Sequence, residues 1–325
     1  MNSIVNYLPL RLGWKLPYIR FLSSRSTVIL LYHGIPKQSD GNSIDDLVFE
    51  QQVAFLRQHF KIVSPNELWD RRDAHENIRV MLTFDDGFRN NSEVVAPILR
   101  KYNAPARFFV CSRHSVPGKY LWFAYLQALE QHFPDKGFYF REEFFDMSAG
   151  QRHCSIEHLE EFLLNLKPHP SAMYEAIEEE LPKLEGFVNA EKLADCYAGM
   201  TAEQVGGLSR DPLFSIGVHT TDHPFLTRCE PGEAMRQIQD NKSWLEQASN
   251  KQIDVIAYPT GNYNSGILRQ SRELGFAQGY AVITVLGIDR VHELPRIGVY
   301  SKSFDVLGFK VQWGNLVREL RLNVG

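Results

Sequence analysis

The chain has 325 residues, 44% of them hydrophobic and 23% charged, with a formal net charge of −4 at neutral pH. That balance supports a large buried core and gives no electrostatic basis for a nucleic acid partner. The four cysteines, Cys111, Cys154, Cys196 and Cys229, lack paired spacing, which argues against a disulfide framework or zinc knot and fits reduced cytoplasmic thiols.

A chain of this length forms one large domain or a domain with a substantial insertion. Residues 1–25 carry only basic charges among Tyr7, Trp14, Tyr18 and Phe21, and Pro9 and Pro17 interrupt the apolar core that a signal peptide needs. Two readings stay open for segment 1–26: peripheral contact with an anionic membrane surface, or packing on the domain, which is the plainer. No apolar run is long enough to span a bilayer.

From residue 27 to 325 strand and helix signals alternate, as in a mostly parallel sheet with helices outside it. Residues 28–32 form an apolar run ending at His33-Gly34. A helix over 49–59 and a short strand at 61–63 follow. Ser64, Pro65 and Glu67 make a helix start with a capping box. A strand over 78–84 precedes a helix that lines up Val94, Val95, Ile98, Leu99 and Tyr102 on one side. Residues 106–111 are the next strand.

From about 114 to 210 the pattern turns helical and polar, clearest at 156–166 and 174–184, and reads as a helical insertion capping a cleft. The rhythm resumes with a strand at 213–218 and a helix at 232–248. A strand at 254–258 and a helix at 264–274, closed by Gly275, come next. Strands at 280–285 and 296–300 and a helix at 304–322 complete the chain. The prediction is an α/β fold: a distorted (β/α) barrel of about seven strands with a helical insertion.

The chemistry gathers at two strand ends. Residues 78–84 deliver Asp85 and Asp86 into a glycine turn, and adjacent buried carboxylates are costly unless a cation shares them. His219 and His223 lie four residues apart directly after another strand, within reach of one metal if the segment turns. Two imidazoles and one acid leave coordination positions open, the mark of a catalytic site rather than a structural one. The second carboxylate is then free to take a proton from water activated at the cation.

Thr83-Phe84-Asp85-Asp86-Gly87 and His219-Thr220-Thr221-Asp222-His223 resemble the first two signature motifs of the polysaccharide deacetylase family, carbohydrate esterase family 4 with its NodB-like domain. The resemblance spans roughly residues 27–112 and 213–300. It implies a distorted (β/α) barrel, Asp85 as general base, and Asp86, His219 and His223 as ligands of a divalent metal. Zinc is the default, with cobalt or nickel fitting the same donors.

Three departures mark a divergent branch. The third family motif carries an arginine that orients the base, and here Ala257-Tyr258-Pro259-Thr260-Gly261 has alanine in its place. Tyr258 and Thr260 remain candidates for the substrate-facing wall, with a backbone N–H for the oxyanion. The family's Asp-x-x-Asp-Trp stretch is absent, and no Leu-x-x-His supplies a late general acid. Tyr32-His33 resembles a branch in which the N-terminal histidine is the acid, and His292 is the alternative; the strand-end position favours His33. Arg296 either supplies positive charge near Asp85 or binds an anionic part of the substrate.

The resemblance implies a hydrolase that N-deacetylates an amino-sugar glycan or lipid-linked glycan precursor; the lack of an evident export signal and the basic, aromatic N-terminal segment give the expectation that it acts in the cytoplasm or at the inner membrane face. The rivals are the same site on a formamide, O-acetyl ester or cyclic amide, and a catalytically silent glycan-binding protein. An iron oxygenase ranks last, because oxygenation has no use for the second aspartate.

Overall fold

The computed structural model describes residues 27–37, 44–69, 78–282, 287 and 289–322. Segment 1–26 and residues 283–285 of one expected strand lie outside them. In chain order the strands are β1 (Thr27–Tyr32), β2 (Lys61–Ile62), β3 (Arg79–Phe84), β4 (Ala106–Val110), β5 (Phe138–Phe140) and β6 (Glu143–Phe145). There follow β7 (Phe214–Val218), β8 (Val255–Ala257), β9 (Gln278–Ala281), β10 (Leu294–Pro295) and β11 (Ile297–Gly298).

Eight strands run in the order β10-β9-β8-β7-β4-β3-β1-β11, with β2 beside the start of β3. Every pairing in this sheet is parallel. β10 and β11 are two halves of one run, parted only by Arg296: the first half pairs with β9 and the second with β1. The sheet therefore curls back on itself as a nearly closed, distorted barrel of seven staves.

Strand sequence follows from this architecture. All six residues of β1 and all six of β3 are buried, as expected of parallel strands covered on both faces. One set of side chains faces the outer helices: Tyr32 and Phe84 meet Phe49 of the helix Asp46–His59, and Leu30, Phe108 and Ile256 belong to the same outer core. The alternate set (Ile29, Met81, Phe109, Val255, Ala257, Tyr280, Leu294) fills the barrel interior. The period of two decides which later residues can enter the site.

Between β4 and β7 the chain builds a second core around Trp122, Tyr125, Leu129, Phe140, Leu159, Leu163 and Tyr174. The helices Trp122–His132 and Arg152–Asn165 dominate it, and the β5–β6 hairpin adds an antiparallel element that an all-helical reading does not anticipate. This region is tied to the barrel rim: Met200 N–H donates to Gly87 O at 2.9 Å and Arg89 N–H to Ala198 O at 2.8 Å. The expected helix over 174–184 is shorter, running through Ser171–Glu175 and a wider turn to Glu180. The capping box at Ser64 and Glu67 forms and opens a single helical turn, Pro65–Glu67. No helix among the described residues is long and apolar enough to cross a membrane.

Candidate metal centre and active site

Because the strands are parallel, the residues that follow β1, β3, β7, β8 and β11 share one rim of the barrel. Alternation continued past each strand end aims His33, Asp85 and His219 inward, in step with Ile29, Met81 and Gly217. Arg296 enters the same interior, two residues after Leu294.

Asp86 is out of step by one, and the backbone corrects it. Asp86 has φ 73° and Gly87 φ 82°, a left-handed pair that turns the second carboxylate back toward the cleft. A Cβ on Gly87 would lie 2.5 Å from Val110 Cγ1, so glycine is required there. The turn is fixed through the Asp86 carbonyl, which accepts from Cys111 N–H at 2.9 Å and from His114 Nε2 at 2.9 Å.

His219 and His223 converge on Asp86. The Nε2 atoms of both lie 3.5 Å from Asp86 Oδ1. All three side chains are buried, and Asp86 Oδ1 has no hydrogen-bond partner. An orphaned buried carboxylate oxygen between two imidazole nitrogens is the arrangement a divalent cation resolves. Donors about 2.0–2.2 Å from a tetrahedral metal stand at nearly this spacing from one another. The donor set fits.

Local bonds set each imidazole for that role. His219 Nδ1–H donates to Ala257 O at 2.8 Å, which leaves the Nε2 lone pair facing Asp86. Burial lowers the His223 pKa to about 4 despite nearby Asp86, so the ring stays neutral and able to ligate at neutral pH. Burial alone would raise the Asp86 carboxyl, but His219, His33 and His223 together hold it well below the carboxylate range.

Asp85 stands beside this cluster, its Oδ2 3.6 Å from His219 Nε2. Both its oxygens are taken by Arg296, Nη1 to Oδ1 at 2.6 Å and Nη2 to Oδ2 at 2.7 Å, in a buried bidentate pair. Burial works against ionisation, yet Arg296, His219 and His33 outweigh it and keep Asp85 below its ordinary range.

Of the two roles open to Arg296 in the sequence, the geometry gives it the one beside Asp85. Its side chain is 0% exposed, so contact with an anionic substrate is corrected away. Ala257, where the family motif has its arginine, is fully buried, and the positive charge arrives instead from the run that closes the barrel.

The other candidates separate by position. His33 is half-buried at the rim, and its charge bears on Asp85, Asp86 and His223. His292 is engaged elsewhere: Nδ1 meets Asp289 Oδ2 at 2.9 Å and Nε2 meets Phe276 O at 2.9 Å. It is therefore no acid for this site. Tyr258 is corrected as a substrate contact: it follows Ala257 by one, so its ring faces the outer helices and packs on Tyr263, 0% exposed. Thr260 is exposed at the rim, with φ 55°.

The groups that hold the His219–His223 loop carry no signal in the sequence. Trp122 Nε1–H donates to His223 O at 3.0 Å, and Tyr174 O–H to Asp222 O at 2.7 Å. Arg113 pairs with Asp222 at 2.9 Å and lies 3.5 Å over the Tyr174 ring. These contacts pin a loop in which Thr220 and His223 both have positive φ, a conformation that persists only when its surroundings fix it. Phe123 packs edge-on to His223 at 4.8 Å. Trp122→Phe, which keeps the packing but orphans the His223 carbonyl, is expected to weaken zinc affinity about 10- to 100-fold in a competition titration with a chromophoric chelator.

Cys111 donates to His219 O; burial first, and the neighbouring Asp86 and Asp85 after it, push its thiol well above the ordinary range and leave it no nucleophile.

A model of the family described as "Polysaccharide deacetylase" matches residues 72–131 and 168–279. YxkH of Bacillus subtilis (strain 168), assigned by name to the polysaccharide deacetylases, is 22% identical over 257 residues. That match covers 77% of this chain and 62% of YxkH, so the chain spans less than two thirds of that relative. Among solved structures, Streptococcus pyogenes deacetylase PplD in complex with acetate superposes with a TM-score of 0.53 at 21% identity, covering 86% of this chain and 96% of PplD. IcaB from Ammonifex degensii gives 0.53 at 18% identity, covering 90% and 97%. At these identities the two superpositions speak to the barrel alone.

Proposed function

The chain belongs to the polysaccharide deacetylase family, and from that premise we propose that it is a metal-dependent hydrolase removing N-acetyl groups from an amino-sugar glycan or lipid-linked glycan precursor. One observation carries the proposal: a paired, ionised Asp85 stands next to an Asp86, His219 and His223 cluster whose shared oxygen has no other partner. A divalent cation held by those three residues would supply Lewis-acid polarisation of the amide carbonyl and a lowered pKa for water. Zinc is the first choice, and cobalt or nickel suits the same donors.

The chain's own residues do the rest. Asp85, fixed by Arg296, accepts a proton from the attacking water. The arginine restricts the carboxylate to one orientation and keeps it charged in a buried setting. In the turn after β8, the N–H groups of Tyr258, Gly261 and Asn262 are spent on the carbonyls of Tyr280, Tyr258 and Pro259. Pro259 has none, so Thr260 is the donor this turn offers a developing oxyanion. His33, across the rim from that turn, delivers a proton to the departing amine. The basic, aromatic segment 1–25 suits a lipid-linked substrate at the inner face of the membrane, and the enzyme's place is the cytoplasm.

The test is acetate release and appearance of free amine from N-acetylated oligosaccharides and lipid-linked pools. Dialysis against a chelator is expected to abolish both, and stoichiometric zinc, cobalt or nickel to restore them. Acetate release that persists at full rate in metal-free protein would refute the metal role; amine-free ester cleavage alone would move the activity to O-acetyl groups.

A further inference from the structure

Beyond the reacting groups, one rim residue is arranged as a binding surface. Tyr300 lies two residues after β11 and four after Arg296, the partner of Asp85, and is 62% exposed. The ring lies flat on the chain: a Cβ added to Gly298 would come within 2.4 Å of it, and Lys310 Nζ stands 5.8 Å from its centroid while bonding Gly298 O at 2.7 Å. His33 stacks nearly parallel to it, centroids 5.8 Å apart with 22° between planes.

An aromatic ring held in place by Gly298, Lys310 and His33 and still 62% exposed is a platform for a flat apolar surface carrying polar edges. A pyranose ring has that form: one face of C–H groups, a rim of hydroxyls. We propose that Tyr300 is the sugar-binding platform of this protein, stacking on the pyranose that bears the scissile amide and setting the preference for glycans over small acetamides. The proposal rests on the glycan deacetylase reading.

Glycine at 298 is part of the device, since any side chain there would lift the ring off the strand. The platform comes from the same chain run that supplies Arg296, so base orientation and sugar placement are fixed by one element.

The experiment uses N-acetylated chitotetraose as the probe. In zinc-loaded Asp85→Asn protein, calorimetry is expected to show binding that weakens about tenfold or more in the Tyr300→Ala double variant. Tyr300→Phe and Tyr300→Trp are expected to keep it. Tyr139→Ala removes an aromatic 74% exposed on the β5–β6 hairpin and serves as the control with unchanged affinity. Under turnover, Tyr300→Ala is expected to raise KM about tenfold with kcat changed less than threefold.

Equal affinity in Tyr300→Ala, or a loss that Phe and Trp fail to rescue, overturns the platform. Binding without turnover in the otherwise intact protein, still lost on Tyr300→Ala, keeps the platform and refutes the deacetylase reading. No chitotetraose binding to the Asp85→Asn protein overturns the platform as stated.

Discussion

Asp85→Asn is expected to lower kcat for deacetylation by about 10²- to 10⁴-fold while the protein keeps one equivalent of zinc. Asparagine preserves an acceptor for Arg296 and leaves Asp86, His219 and His223 untouched, so only the proton-accepting carboxylate is lost. His219→Ala is the contrasting variant. It removes one of three buried donors and is expected to empty the site, seen as loss of zinc by atomic emission. The pair of variants separates base from ligand. A kcat within tenfold of wild type in Asp85→Asn would remove Asp85 from the mechanism.

Arg296→Met should be the most damaging substitution that leaves every reacting group in place. It strands the Asp85 carboxylate in a site where burial opposes charge. Breaking such a pair from one side costs about 3–5 kcal/mol of stability at neutral pH. The pH dependence follows with a definite sign. In the wild type Asp85 titrates below its unfolded value, so its contribution to stability is present above that value and is lost as pH falls through the folded pKa.

Without the guanidinium the desolvation cost dominates, the folded pKa rises, and the base protonates at a higher pH. The acid limb of kcat/KM is therefore expected to move to higher pH in Arg296→Met, and to move back partly in Arg296→Lys. Superimposable pH profiles for wild type and Arg296→Met would show that Arg296 does not hold the base.

The structure also accounts for the alanine at the position of the family's third-motif arginine. Ala257 lies on the interior face of β8, 0% exposed, and its carbonyl orients His219. Arg296 reaches Asp85 from the run that closes the barrel between β9 and β1.

What the sequence determined by itself was whatever is written in contiguous runs. The apolar strand ending in Asp85-Asp86-Gly87, the histidines spaced by four after another strand and the alternating elements around them were legible, because strand period and turn chemistry are local. The barrel and its family followed from these. Tyr258 was misread because the direction of a side chain depends on parity relative to a neighbouring strand, and one residue reverses it.

Tertiary structure alone decided the rest. Arg296 meets Asp85 across 211 positions, Trp122 meets His223 across 101, and Tyr174 meets Asp222 across 48. No local pattern encodes those pairings. They exist because closing the barrel and packing the excursion between β4 and β7 leave a buried carboxylate and two loop carbonyls that each must find a partner.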